Sequence, residues 1–172
     1  MATSQRRFHV FDSQHPNAAG RLFNRAPIEL LNVLKGSDLL LILGERIGPS
    51  MSQGFTFPHA PKPEQPMIHV WPDPVEVGRN YEPTLGIGCD PHEFIKVMLR
   101  SGAKDLPKSR TQWLKQLNKI HKETINWAPV SSNDGVVFGH VIHAIDKHLN
   151  KDAIVTCDAG NFSSWPSRFL NM

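Results

Sequence analysis

The 172-residue sequence lacks the features that define several large protein classes. Its two cysteines, Cys89 and Cys157, lie far apart and in no metal-ligand spacing, so we expect reduced thiols in a cytoplasmic protein. No apolar run reaches the ~18 residues of a membrane helix. The start of the chain, at 1–11, lacks the long apolar core of a signal peptide. The sequence therefore predicts a cytoplasmic chain with no membrane partner.

Strong charge of one sign is also missing, because the formal net charge is only +3. The Lys and Arg residues are scattered, and their densest patch, at 104–122, alternates with Trp113, Leu117 and Ile120 at helical spacing. That alternation is typical of the solvated face of an amphipathic helix, whereas a nucleic-acid footprint would be more tightly clustered. We therefore expect no nucleic-acid partner.

Short motifs for phosphate, metal or nucleophilic chemistry are absent as well. There is neither a Walker-type phosphate loop nor a G-x-G-x-x-G, and no Ser-His-Asp or Cys-His set follows from residue order alone. His140 and His143 share a helical face, but no acidic or thiol residue stands at the spacing of a further metal ligand. The metal-like run at 89–93 contains Asp90-Pro91, which indicates a helix start. The sequence thus predicts neither a catalytic residue nor a metal ligand.

Two apolar runs do predict neighbouring strands of a sheet. Leu39–Leu43 form a continuous apolar run, the pattern of a strand buried on both faces, which we place at 38–43. A second strand is predicted at 67–70 and a third, short one at 84–88. Strands of this kind, each followed by a polar loop, indicate the edge of a Rossmann-like sheet at which nucleotide cofactors bind.

The segments around these strands complete an α/β layer. Helices are predicted from Ile28 to a stop at Gly36, and after an Asp90 cap that has Pro91 in the first turn. Residues 1–26 are predicted to be irregular, and 44–66 to be a long loop or broken helix.

A second unit is predicted after a linker at 101–107. Helices are expected at about 108–126 and 135–149, followed by a strand at 153–156 and a turn at 157–161. The predicted fold class is α/β, a partial Rossmann-like parallel sheet followed by the first helix–strand unit of a second α/β domain. The corresponding domain boundaries are 1–100, 101–134 (linker and helix) and an incomplete unit at 135–172.

Four segments, in order along the chain, resemble the acetolactate synthase-like branch of the thiamine diphosphate-dependent enzymes. HPNAAG at 15–20 resembles the segment that leads into the later strands of that family's central domain. SDLLLILGERIG at 37–48 and MIHVWPDPVEVGRNYEP at 67–83 are similar to two of its strand–loop segments. DAIVTCDAGNFSSWPSRFL at 152–170 resembles the start of its C-terminal diphosphate-binding domain.

The resemblance implies a piece of an enzyme: the second half of a central domain and the first part of the diphosphate-binding domain. In the intact family, thiamine diphosphate and Mg²⁺ support the decarboxylation of a 2-keto acid and transfer of the product to a second carbonyl, a transferase or lyase reaction. The family's catalytic glutamate belongs to another domain, and its Gly-Asp-Gly…Asn metal motif does not occur in this sequence. The loop at 48–52 is poorer in aspartate than in flavin-containing members, which argues against FAD.

The resemblance also implies cofactor-binding residues and partners. The loop Ala159, Gly160, Asn161 and Phe162 would contact the diphosphate through backbone N–H groups, although an ordinary strand–helix turn would have the same sequence. The positions of Gly44, Arg46 and Asp73 just after predicted strands make them further candidates: Arg46 for a phosphate or merely for a surface ion pair with a carboxylate, Asp73 for a ribose or merely for a turn. Expected partners are the missing domains or a complementing subunit, within a homo-oligomer.

Two functions therefore remain open from the sequence. The first is a fragment of an acetolactate synthase-like enzyme that is inactive alone. The alternative is a stand-alone Rossmann-like module that binds a nucleotide or a regulatory partner.

Overall fold

The computed structural model describes residues 1–4, 7–102, 110–150 and 152–170 of the chain. Its strands and helices, in chain order, are β1 (Ala2–Ser4), a 3₁₀ turn (Phe8–Val10), β2 (Gly20–Leu22), α1 (Ile28–Lys35), β3 (Leu40–Leu43), β4 (Met67–Trp71), β5 (Leu85–Gly88), α2 (Pro91–Arg100), α3 (Arg110–Ile125), α4 (Phe138–His148), a 3₁₀ turn (Asn161–Ser163) and α5 (Ser164–Phe169).

A parallel sheet of order β3-β4-β5 is the centre of the fold. Leu40 of β3 lies opposite Met67 of β4, and Ile68 of β4 lies opposite Leu85 of β5. Met67 and Val70, both on the middle strand, are completely buried at 0% exposure. The predicted strands at 38–43, 67–70 and 84–88 and the α/β class with a parallel sheet are therefore confirmed.

The amino-terminal residues are more ordered than the sequence predicts. The prediction that 1–26 is irregular is wrong, since β1 and β2 form a second, two-stranded parallel sheet in which Ala2 lies opposite Gly20. Strands of three residues are too short to show an alternating pattern, so periodicity does not reveal them. Pairing partners, which only the tertiary structure supplies, decide that these residues are extended.

Helices α1 and α2 follow their sequence signals closely. Helix α1 ends at Lys35, and the N–H of Gly36 closes its last turn onto Val33 O at 3.2 Å. Asp90 caps α2, because its Oδ1 accepts a hydrogen bond from the His92 N–H at 2.7 Å. Pro91 occupies the first turn, where a missing N–H costs nothing. Both helix predictions are confirmed.

Helix α3 belongs to the same core as α1. The Trp113 indole N–H donates to Val33 O at 3.2 Å, and Leu117 is buried against α1. The helix predicted at 108–126 is thus confirmed over Arg110–Ile125 and packs on the first unit. Of the predicted linker at 101–107, residues 103–107 lie outside the described part, and the domain boundaries drawn around it stay predictions.

The predicted strand at 153–156 does not form. Residues 153–158 have no regular secondary structure, and Ile154 is 91% exposed. A β-strand requires a neighbour for its backbone hydrogen bonds, and no strand of the described residues pairs with this segment. Its β-branched residues favour an extended backbone but cannot by themselves make a sheet. The helix before it, predicted at 135–149, is confirmed at Phe138–His148.

The long segment at 44–66 is built of turns, and Gln53 is one of the side chains that tie it to the rest of the chain. Gln53 donates from Nε2 to Phe23 O at 2.7 Å, and its Oε1 accepts from the Ala26 N–H at 3.1 Å. This pair of bonds fixes the middle of the segment against the turn that precedes α1. The loop alternative of the sequence prediction is confirmed.

No helix within the described ranges is both long and apolar enough to cross a membrane.

His121 is a buried histidine that links α3 to the amino-terminal segment. It is 3% exposed, and its Nε2 lies 2.9 Å from Ser13 O, so this nitrogen carries the donated proton. Burial lowers the pKa of His121 below its usual 6.5, with smaller lowering contributions from the positive charges of Arg21 and Lys122; the Ser13 bond acts in the opposite direction. Burial therefore favours the neutral imidazole in the folded state.

This arrangement predicts that stability falls on acidification below about pH 6.5, because the unfolded chain then binds a proton that the folded chain resists. The slope contributed by one such group is at most about 1.4 kcal/mol per pH unit. We expect His121→Gln to flatten the dependence of the unfolding free energy on pH between 7 and 5. His148→Gln, which removes an exposed histidine, is the control. Urea titrations at several pH values measure the slope of the unfolding free energy against pH. Equal slopes for the two variants would contradict the contribution of His121.

Candidate functional site

The carboxyl end of β3 carries two of the predicted site residues. Gly44 has φ of 65°, and a Cβ at this position would lie 3.1 Å from Pro91 Cγ. Glycine is therefore required here both by the backbone conformation and by the close approach of α2. Arg46 is exposed, and its guanidinium carbon lies 5.8 Å from the centre of the Trp71 ring, a cation–π distance.

A buried histidine on β4, which the sequence analysis left without a role, holds this loop in place. His69 is 2% exposed, and its Nε2 lies 2.9 Å from Glu45 O. Because a carbonyl only accepts, Nε2 donates, and the bond ties the turn after β3 to the neighbouring strand. The other ring nitrogen, Nδ1, is buried without a hydrogen-bond partner. The signal in the sequence was a histidine inside the apolar run at 67–70.

Asp73 follows β4 at the same edge of the sheet and closes a turn. Its Oδ1 accepts a hydrogen bond from the Val75 N–H at 3.0 Å, and the residue is exposed. This geometry agrees with the second of the two roles considered for Asp73, that of an aspartate whose carboxylate stabilises a turn by accepting from the N–H two residues later. Gly44, Arg46 and Asp73 thus lie at the carboxyl ends of two paired strands, as predicted, and their binding of a cofactor stays a prediction.

The second group of predicted residues, Ala159–Phe162, precedes α5. Gly160 has φ of 152°, and the Ala159 N–H is held by the Asp158 carboxylate at 2.6 Å. All four residues are exposed. Helix α5 packs on α4 and α3, and Arg168 Nε donates to Thr124 O at 2.7 Å. Ala159–Phe162 therefore lie in the helical part of the chain, whereas the first group of predicted residues lies at the edge of the sheet.

The described residues do not by themselves fit thiamine diphosphate. The loop at 159–162 is open to solvent, and a carboxylate already bonds one of the N–H groups that an anion would need. No group of three or more His, Cys, Asp or Glu side chains in the described ranges could hold a metal ion. His140 Nε2, for instance, lies 3.0 Å from Val130 O. We therefore derive no catalytic step through thiamine diphosphate from these residues.

A groove of about 500 Å³ lies between the two sheets. One wall is β1 and the other is β3 together with Gly44 and Glu45. We call it the β1–β3 groove. Its remaining lining is mainly apolar and comes from α1, α3 and the segment after β3, namely Leu34, Trp113, Leu117, Ile47, Met51 and Phe57. The groove therefore begins at the predicted site edge and runs along the open side of β3.

The His69–Glu45 hydrogen bond yields a test of how the site loop is held. We expect His69→Ala to destabilise the fold by about 2–4 kcal/mol, because it opens a cavity and leaves the part-buried Glu45 carbonyl without its donor. Hydrogen exchange at the amides of Glu45 and Arg46 should accelerate more than exchange at β5. His59→Ala, at an exposed histidine of the same segment, is the control. An unchanged urea midpoint for His69→Ala would show that the bond contributes nothing.

Comparison with known proteins gives a family match over the residues that form both parallel sheets. The family described as "Thiamine pyrophosphate enzyme, central domain" matches residues 1–98, which is more than half of the chain and contains both parallel sheets. The acetolactate synthase large subunit of Cyanidium caldarium is 32% identical over 111 residues, 62% of this chain and 18% of that protein.

Two further relatives extend along almost the whole chain. The probable acetolactate synthase large subunit of Methanocaldococcus jannaschii is 24% identical over 166 residues, 93% of this chain and 27% of its own length. The acetolactate synthase large subunit of Corynebacterium glutamicum is 22% identical over 165 residues, 94% of this chain and 26% of its own. The chain thus spans about a quarter or less of these relatives. Its parallel sheets and the match at 1–98 together show that it belongs to the family of thiamine pyrophosphate-dependent enzymes, through their central domain.

Proposed function

We propose that this chain is a part of an acetolactate synthase-like enzyme and acts only together with polypeptide that it does not itself contain. The observation that carries the proposal is the central-domain match at 1–98, which coincides with the five parallel strands. The relatives named acetolactate synthase large subunit support the same branch of the family. The reaction of the complete assembly would be decarboxylation of a 2-keto acid and transfer of the product to a second carbonyl compound.

Within that assembly the described residues have a supporting role. The edge formed by Gly44, Arg46 and Asp73 offers one cation and one carboxylate in the turns that follow two paired strands, which suits binding of a polar group. The loop at 159–162 would approach the diphosphate only if another chain or segment displaced the Asp158 carboxylate from the Ala159 N–H. Thiamine diphosphate and Mg²⁺ would be held mainly by groups outside residues 1–172.

Turnover by the purified chain tests the proposal. With pyruvate, thiamine diphosphate and Mg²⁺, we expect no acetolactate and no carbon dioxide above a control without protein. Equilibrium dialysis should likewise show no saturable binding of thiamine diphosphate, because the exposed loop supplies one side of a site at most. A complete acetolactate synthase in the same assay is the positive control. Product formed by the chain alone would refute the proposed dependence on other polypeptide.

A further inference from the structure

A second, smaller cavity of about 70 Å³ lies between β2, α1 and α3 and is lined by three arginines. They come from three parts of the chain: Arg21 from β2, Arg25 from the turn before α1, and Arg168 from α5. No aspartate or glutamate lines this cavity, and within the described ranges none of the three arginines forms an ion pair with a carboxylate. We call it the arginine cavity. Three positive charges therefore border one small space without a counter-charge.

Arg21 has hydrogen-bond donors to spare. Its guanidinium carbon lies 4.5 Å from the centre of the Phe8 ring, a contact that uses the face of the guanidinium and leaves the N–H groups at its edge free to donate. Among the described residues, Nη1 is buried and has no hydrogen-bond partner. Burial lowers the pKa of Arg21 to about 10, and no carboxylate offsets this cost. An anion bound beside Arg21 would supply both the missing acceptor and the missing charge.

The turn that carries Arg25 is fixed by hydrogen bonds on either side of it. The Ala26 N–H donates to Phe23 O at 3.0 Å, and Gln53 bonds to both of these residues. Arg25 itself has φ of 62°, in the left-handed region that is unfavourable for a residue with a side chain. Arg25 is thus positioned at the cavity by a rigid turn, which lowers the entropy lost when a ligand binds.

Arg168 connects the cavity to the carboxy-terminal helices. Its Nε donates to Thr124 O at 2.7 Å, and Thr124 also lines the cavity. A guanidinium carries five N–H donors, so the others remain for a ligand. A ligand that bonds to Arg168 and Arg21 together would join α5 to β2.

The size and lining of the arginine cavity indicate a single phosphate group. Its volume is far below the roughly 300–1,000 Å³ of pockets that enclose a whole ligand. A phosphate brings a charge of about −1.5 to −2 and three strong acceptor oxygens, which suits three guanidiniums better than the single charge of a carboxylate does. The rest of the lining is largely apolar and includes Leu30, Ile120 and Ile125. Charges attract each other more strongly in such surroundings than in water.

We propose that the arginine cavity binds one phosphate group, either as inorganic phosphate or as the head of a phosphomonoester whose organic part stays outside. The cavity shares no residue with the edge formed by Gly44, Arg46 and Asp73 or with the loop at 159–162, so the proposal does not rest on the proposed function. Thiamine diphosphate is a poor ligand for it, because the thiazolium cation and the Mg²⁺ on the diphosphate oppose the three arginines. Bound phosphate would stabilise the docking of α5 on the rest of the chain.

Isothermal titration calorimetry of the full chain, at neutral pH and constant ionic strength, tests the proposal. The probes are inorganic phosphate and phenyl phosphate, with acetate as the monocarboxylate comparison. We expect saturable binding of phosphate that is at least about tenfold tighter than that of acetate. Equal or tighter binding of phenyl phosphate would indicate a phosphomonoester as the ligand, whereas binding of inorganic phosphate alone would indicate the free ion.

Arg25→Gly separates binding from folding. It should weaken phosphate binding by at least about tenfold, because it removes a charged donor. It should not lower the urea midpoint, because glycine adopts φ of 62° without strain. Arg168→Gln is the second variant and should weaken binding to a similar extent. Arg100→Gln, at an exposed arginine of α2, is the control and should bind phosphate as the wild type does.

Hydrogen exchange locates the bound phosphate. At saturation, exchange at the amides of α5 should slow by about threefold or more, because the ligand stabilises the docked helix, while exchange in α2 should change little.

Three results would overturn the inference. The first is the absence of saturable phosphate binding, and the second is acetate binding as tight as that of phosphate. The third is an equal loss of affinity in Arg25→Gly and Arg100→Gln, which would show only general attraction of anions to a basic protein. None of these measurements depends on thiamine diphosphate or on turnover, so failure here and failure of the proposed function are distinguishable.

Discussion

The pairing of β4 with a parallel strand on each side is the constraint on which the fold depends. It buries Met67 and Val70 completely, and it brings the carboxyl ends of β3 and β4 to one edge. Glycine at position 44, the cation of Arg46 and the turn at Asp73 all follow from where these strands end. His69, also on β4, then fixes the first of the two loops through Glu45 O.

The helices join this sheet to the amino-terminal pair of strands. Leu40 of β3 packs against both apolar clusters, one around α1 and α3 and the other around Met67 and Tyr81. Trp113 and His121 on α3 each donate to a backbone carbonyl of the amino-terminal half, at Val33 and at Ser13. Helix α3 thus covers the α1 layer, and the two sheets are held together by side chains, with the β1–β3 groove between them.

Family membership and the second group of candidate site residues rest on different parts of the chain. The central-domain match ends at residue 98, whereas the loop at 159–162 lies beyond it. That loop is exposed and belongs to a short helical unit in which the Trp165 ring lies edge-on to Phe138 and at a tilt to Phe169. The structure therefore explains the sheet edge in physical detail, and it leaves cofactor binding at Ala159–Phe162 as a prediction that depends on further polypeptide.

Elements whose signals are local could be predicted from the sequence alone. The apolar run at 39–43, the Asp90-Pro91 helix start and the stop at Gly36 specify β3, α2 and the end of α1, because strand burial, capping and backbone freedom depend on neighbouring residues. Whether a segment forms a β-strand depended on the tertiary structure, because a strand needs a neighbouring strand to pair with. Ala2–Ser4 is a strand because β2 lies beside it, and the more strand-like 153–156 is not, since nothing described pairs with it. Hydrogen bonds to a neighbouring strand stabilise a β-strand, and the pattern of nearby residues in the sequence does not indicate whether such a neighbour is present.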